Sequence, residues 1–195
     1  HAMKQIDKEW SDLSIILEEL YEQLGLLMMG LKKYDKAIEA FHTGYNISKG
    51  NELLVIRYYD YLARAYYMNQ DYYSVITYSS QLIVHLEEHR EAEQYLDRIE
   101  FFNRSKFMYE ILISSYMQLE NYEKVYFLSE LTTSRTLSEV IADSPIQSIP
   151  LLPLIQSELN PDQAIIVIPC NSSGWFSFAD RINILLITRD DINGF

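Results

Sequence analysis

Apolar and polar positions alternate with helical spacing through most of the chain, and one arrangement occurs three times. The stretches "YEQLGLLM", "YDYLARAY" and "YEILISSY" begin at Tyr21, Tyr59 and Tyr109. Each places a leucine three positions after its tyrosine, and further core positions follow at four and seven. These positions lie on one face of an α-helix. Each stretch is therefore predicted to form a helix that buries this face.

A short turn and a second amphipathic segment follow each of these helices. The second segments, "YDKAIEAFHTGY", "YYSVITYSSQLI" and "YEKVYFLSELTT", begin at Tyr34, Tyr72 and Tyr122. One helix pair cannot bury its apolar face alone, so neighbouring pairs are expected to stack. The inward positions of the second helices are predicted to be Ala37, Phe41 and Gly44, then Val75, Ser79 and Leu82, then Val125, Ser129 and Thr132.

The three units resemble the tetratricopeptide repeat, a helix-turn-helix repeat whose pattern joins W-x2-L-G-x2-Y to A-x3-F. The first copy matches best, with Leu24, Gly25, Ala37 and Phe41 at the family's positions. The copies begin 38 and 50 residues apart, whereas the family repeats about every 34 residues. Longer second helices are expected to absorb the difference.

A helical pattern also precedes the first copy. The segment "IDKEWSDLSIILEEL" places Ile6, Trp10, Leu13 and Leu17 in one stripe. Such a stripe indicates a helix with one apolar face. It either extends the first helix or is the remnant of an earlier repeat.

The pattern changes after Ala142. Residues 143–162 hold four of the five prolines and are interpreted as a linker with a short helix over Leu151–Leu159 and a turn at Asn160–Asp162. Two β-branched runs, "AIIVIPC" and "INILLITR", predict two antiparallel strands, with no further strand before Phe195.

The predicted fold class is mostly α. An antiparallel helix-pair array of about three tetratricopeptide-like repeats is assigned to residues 4–142. Residues 163–195 are assigned to a short β-hairpin that begins a truncated α/β domain. An unfinished sheet leaves a strand edge open, and such an edge favours pairing. A homodimer through the C-terminal strands is therefore one expectation.

The C-terminal part carries a second resemblance. The Glu-x-x-x-Ser-Arg stretch at Glu130–Arg135, the lead Leu159–Pro161 and the strand end Thr188–Asp190 are similar to the beginning of a CHAT domain. This is the caspase-like peptidase domain that follows tetratricopeptide repeats in many bacterial proteins. The resemblance implies an α/β sandwich that continues beyond residue 195 in a longer chain. The family's catalytic histidine and cysteine lie downstream, so no catalytic residue is assigned and the fragment itself is predicted not to be an enzyme.

The composition of the chain limits the kinds of partner and the kinds of fold that are expected. The net charge of -12 disfavours nucleic acid and anionic membranes, because both need basic patches. A hydrophobic fraction of 48% allows a sizeable core. The single cysteine, Cys170, excludes a disulfide framework. Without a membrane-spanning run or a signal-peptide pattern, a cytoplasmic location is predicted. No cofactor is predicted.

A binding face is predicted from the family geometry, in which the first helices line a concave side. An acidic residue follows the tyrosine in each copy, so the groove is expected to suit a basic or apolar peptide. The predicted function is a protein-interaction and regulatory module of a larger multidomain protein that controls a caspase-like effector. The residues expected to line the groove are Glu22, Met29, Arg57, Asp60, Arg64, Tyr67, Glu110 and Met117.

Two alternatives remain open. Helical-repeat regulators in bacteria bind signalling peptides, although the DNA-binding helix-turn-helix that usually precedes their repeats is not visible here. The second alternative is a metal-dependent hydrolase, because His85, Glu88 and His89 spell H-x-x-E-H. Histidines four residues apart on a helix can share a metal ion, but the sequence indicates no third ligand.

Overall fold

The computed structural model describes most of the chain. Backbone is described for residues 2–90, 95–141, 152–167 and 184–194. Side chains are described for residues 13–85, 107–132, 152–167 and 184–194.

Within these ranges, seven α-helices precede three short β-strands, which confirms the predicted mostly α class followed by a small β segment. The helices are α1 (Ala2–Gly30), α2 (Tyr34–Ser48), α3 (Glu52–Met68), α4 (Tyr72–Arg90), α5 (Tyr95–Gln118), α6 (Tyr122–Ile141) and α7 (Leu152–Glu158). The strands are β1 (Ala164–Val167), β2 (Leu185–Thr188) and β3 (Ile192–Gly194).

The chain divides into two compact units, His1–Glu88 and His89–Phe195. The first unit holds the first two helix pairs. The second unit holds the third helix pair together with α7 and the sheet. The third helix pair therefore belongs to the same compact unit as the sheet, although its hydrophobic pattern is that of the other two helix pairs.

The turns inside the three helix pairs share one backbone structure. In the second turn, the Asp71 N–H donates to the Tyr66 carbonyl at 3.0 Å and the Gln70 N–H donates to the Tyr67 carbonyl at 3.1 Å. These two bonds form a Schellman motif, which ends a helix with one left-handed residue. The equivalent bonds close the first and third turns. None of the left-handed residues is a glycine: they are Lys32, Gln70 and Glu120, with φ of 57°, 63° and 57°.

The last residue of each turn also starts the next helix. Asp71 accepts a bond from the Ser74 N–H at 3.2 Å, and Asn121 accepts one from the Lys124 N–H at 3.3 Å. Such side-chain caps satisfy donors that a helix start leaves unpaired. Lys33 makes no side-chain cap in the first turn. The three second helices begin at the predicted tyrosines: Tyr34, Tyr72 and Tyr122.

The inward positions predicted for the second helices are confirmed, because all nine residues are buried. Leu62 and Leu112 of the first helices are buried as well. The prediction is wrong for Leu24 of α1, which is 40% exposed, and Leu13 and Leu17 of the preceding stripe are also exposed. Gly25, the next predicted core position of α1, is buried. Instead α1 turns Glu18 and Glu22 inward.

Two glycines let helices of the first unit approach closely. A Cβ on Gly25 would lie less than 3.0 Å from three ring carbons of Phe41, and a Cβ on Gly44 would collide with Tyr58 in the same way. Phe41 is 1% exposed, and its ring stacks on Tyr61 at 5.0 Å between centroids. These residues and Leu62 form the core between α1, α2 and α3.

In the second unit, the predicted short helix and the predicted antiparallel hairpin are both present. β1 pairs with β2, with Ala164 opposite Thr188. The expectation of no further strand is wrong, because β3 pairs with β2 on its other side. A tight turn permits this: the Asp191 N–H donates to Thr188 Oγ1 at 3.1 Å. Gln156 of α7 donates to the carbonyls of Thr188 and Asp191 and so anchors the turn.

Candidate functional site

The residues predicted to line a groove fall into both units. Glu22 and Met29 lie on α1 and Arg57, Asp60, Arg64 and Tyr67 on α3, all in the first unit. Glu110 and Met117 lie on α5 in the second unit. The first six lie on two helices that contacts of Glu22 connect, and we call them together the α1–α3 face.

Glu22 is the central residue of the α1–α3 face. Its carboxylate is buried, with Arg57 Nη1 3.0 Å from Oε2 and the Tyr61 hydroxyl donating to Oε1 at 2.7 Å. Burial, together with this bond to Glu22, raises the pKa of Tyr61, so the hydroxyl keeps its proton. The Arg57 side chain remains 49% exposed. One buried acid therefore links α1 to α3 and orients an accessible guanidinium.

A second charge pair lies one turn further along α3. Arg64 Nε is 2.7 Å from Asp60 Oδ1, at the four-residue spacing that favours such pairs. Both acids of the α1–α3 face are thus neutralised by arginines of the same face. Positive and negative groups alternate along it, so the face is not uniformly acidic.

The remaining predicted residues differ in exposure. Met29 is half-buried and packs against the core of the first unit. Tyr67 is half-buried, with its ring edge-on to Tyr72 at 6.1 Å. In the second unit, Glu110 is half-buried, while Met117 is buried and its methyl group lies beside Gly194 of β3. Met29 and Tyr67 add apolar surface to the α1–α3 face.

An aromatic cluster that was not predicted from the sequence joins α2, α3 and α4. His42 Nε2 lies 2.8 Å from the Tyr66 hydroxyl, and the Tyr66 ring stacks on Tyr78 at 5.6 Å. Burial lowers the pKa of His42, so the ring is neutral near pH 7. Burial, together with a hydrogen bond between the Tyr59 and Tyr45 side chains, raises the pKa of Tyr59 to about 12. The cluster is uncharged at neutral pH and acts as packing between the helix pairs.

Glu18 is a further buried acid that the sequence analysis missed. It is 6% exposed, and its Oε1 has no hydrogen-bond partner among the described residues. Its backbone carbonyl accepts a bond from the Tyr58 hydroxyl at 3.2 Å. The available signal was the four-residue spacing from Glu18 to Glu22, which places both acids on one face of α1.

The structure places His85 of the metal-site alternative against α3. Its Nδ1 lies 3.5 Å from Glu52 Oε1, and its ring lies 6.0 Å from the ring of Tyr59. The side chains of Glu88 and His89, and all of Cys170, lie outside the described residues. Among the residues that are described, no group of three or more histidine, cysteine or acidic side chains could hold a metal ion.

No helix in the described part of the chain is long and apolar enough to cross a membrane. Comparison of the chain with known protein families, with curated proteins and with solved structures finds no match.

Proposed function

We propose that the first unit is a protein-interaction module of the tetratricopeptide type, which binds a peptide segment of a partner protein on the α1–α3 face. The observation that supports this most directly is the way Glu22 holds Arg57. A buried carboxylate with two donors is a fixed support, and it presents an accessible guanidinium to the solvent.

Preorganisation is the physical argument. An arginine side chain loses up to about 2 kcal/mol of rotamer entropy when it is ordered, and here folding itself has ordered Arg57. A guanidinium has five N–H donors, so its bond to Glu22 leaves others for a peptide carbonyl or carboxylate. Binding energy is then not spent on fixing the side chain.

The paired charges favour an apolar peptide with acceptor groups over a basic one. A basic side chain would have to compete with Arg57 for Glu22 or with Arg64 for Asp60. Met29 on α1 and Tyr67 on α3 are half-buried and offer apolar surface on the same two helices. Of the two peptide classes expected from the sequence, we therefore retain the apolar one.

A peptide display selection on the full chain tests the proposal, with affinities measured by fluorescence polarisation. Arg57→Ala is expected to weaken the selected peptides at least about tenfold, since a bond to a charged group contributes about 1.5–3 kcal/mol. Lys36→Ala is the matched control, because Lys36 is an exposed cation on α2 outside the face. Circular dichroism must show the same helix content for both variants. Equal affinity of Arg57→Ala and the unmodified chain would refute the proposed face.

The regulatory role towards a caspase-like effector rests on the sequence resemblance alone and stays a prediction. The signalling-peptide receptor would use the same face, and peptide binding alone does not separate it from a partner-binding module. The metal-hydrolase alternative depends on Glu88 and His89, whose side chains lie outside the described residues.

A further inference from the structure

One side of α1 carries a continuous row of exposed leucines. The intervals between them alternate between four and three residues, which is the 3.5-residue period of a coiled-coil seam. Their exposed fractions run from 39% to 59%, whereas a leucine that packs in a core is buried. We call this row the leucine seam: Leu13, Leu17, Leu20, Leu24 and Leu27 on α1, and Leu31 directly after its last residue.

The first unit already uses the other side of α1. Glu22 bonds to Arg57 and Tyr61, and Gly25 fits against the ring of Phe41. The leucine seam therefore lies outside the packing that holds the unit together. Buried acids and exposed leucines on one helix reverse the usual distribution, and exposed apolar patches of this kind mark interaction sites.

We propose that the leucine seam joins two copies of this chain, with α1 of one copy packed against α1 of the other. Knobs-into-holes packing needs the same period on both helices. A second copy supplies that period by symmetry, because a two-fold interface brings the same surface from each partner. The pattern also continues towards the N-terminus, where Met3, Ile6 and Trp10 extend the alternation.

The area is suited to a pair of helices. The six leucines expose apolar surface on the order of 500 Å² per copy, against about 800 Å² per partner in a standard interface. Ile16, which is 55% exposed beside the seam, enlarges the patch. Two copies can therefore approach the area that a stable dimer needs.

The charge distribution also permits pairing of two identical chains. The net charge of -12 would oppose self-association if the acids bordered the seam. Glu18 and Glu22 instead face the first unit and are buried. From Leu13 onward, the positions that flank the seam in a coiled coil carry no charge: Ser14, Ile16, Tyr21, Gln23, Met28 and Gly30.

Sedimentation analysis of the full 195-residue chain tests the proposal. The unmodified chain, of 23.0 kDa, is expected to sediment with the mass of two copies. Leu20→Glu, in the middle of the seam, is expected to raise the dissociation constant at least about 100-fold, because two buried leucines are replaced by charges. Leu154→Glu is the matched control, since Leu154 on α7 is 60% exposed and Leu20 is 59% exposed. The control is expected to remain dimeric.

Circular dichroism distinguishes a lost interface from a lost fold. Leu20 is exposed in the single chain, so Leu20→Glu and the double variant Leu20→Glu/Leu27→Glu are expected to keep the helix content of the unmodified chain. A single-chain mass for the unmodified protein at every concentration up to its solubility limit would overturn the proposal and assign the seam to another chain or segment. A dimer that survives the double substitution would place the interface elsewhere, for example on the strand edges. A mass above two copies would also contradict it.

Discussion

Replacing Gly25 with alanine tests the close approach of α1 and α2. The new Cβ would lie less than 3.0 Å from three ring carbons of Phe41. The ring cannot move freely, because it is 1% exposed and stacked on Tyr61 at 5.0 Å. Either α1 must shift away from α2 or the ring must leave its position in the core.

Whether Gly25→Ala lowers or raises the unfolding free energy shows whether packing or helix propensity dominates. Alanine is favoured over glycine inside a helix by about 1 kcal/mol. Overpacking of a filled core costs about 1–3 kcal/mol and sometimes more. Since the collision involves an enclosed ring, we expect a cost at the upper end and a net loss of about 2 kcal/mol of unfolding free energy. Gly30→Ala in the same helix meets nothing within 4 Å, so it is expected to be neutral or stabilising.

Urea unfolding followed by circular dichroism measures both variants, at one fixed protein concentration because association would shift the apparent stability. A double-mutant cycle with Phe41→Leu adds a direct check. A smaller side chain at position 41 makes room for the new methyl group, so Gly25→Ala should cost at least about 1 kcal/mol less in that background. Equal stabilisation by Gly25→Ala and Gly30→Ala would refute the packing argument.

Three further predictions concern the turn and the titrating groups of the first unit. Gln70→Gly should stabilise the chain by about 0.5–1 kcal/mol in urea unfolding. Glycine removes the cost of about 1–2 kcal/mol that a non-glycine residue incurs in the left-handed conformation, but its greater conformational entropy in the unfolded chain offsets part of this gain. Burial raises the pKa of Tyr58 and Tyr61 above the ordinary 10.0, so unfolding free energy should fall once the pH exceeds about 10, and less steeply in Tyr61→Phe. Burial lowers the pKa of His42 below 6.5, so on acidification the unfolded chain binds a proton before the folded chain does, and the unfolding free energy should decline as the pH falls below 6.5. An unfolding free energy that stays constant below pH 6.5, or a decline that His42→Gln leaves unchanged, would contradict this.

Local periodicity was enough to predict the helix pairs. Tyr34, Tyr72 and Tyr122 begin the second helices as expected, and residues such as Ala37, Val75 and Val125 are buried. These features depend on spacing within one or two helical turns, which the sequence displays directly. The short helix and the antiparallel hairpin of the second unit were predictable for the same reason.

The candidate site could be predicted only in part. The positions of Glu22, Arg57 and Asp60 on the first helices followed from the repeat. Their pairing did not, because Glu22 meets Arg57 and Tyr61 across 35 and 39 residues of chain. The acid after each tyrosine therefore predicted a groove suited to a basic peptide, whereas each acid of the α1–α3 face has an arginine beside it.

The sequence by itself determined where the helices run, and only the tertiary structure decided which side of α1 turns inward. The spacing of Leu13, Leu17 and Leu24 marks an apolar side and the spacing of Glu18 and Glu22 an acidic one, and either could face a neighbour. The acidic side turns inward because distant residues of α3 hydrogen-bond to it. The same holds for β3, whose three residues form a strand through pairing with β2. Periodicity is a local property, whereas burial is determined by the partners that folding brings together.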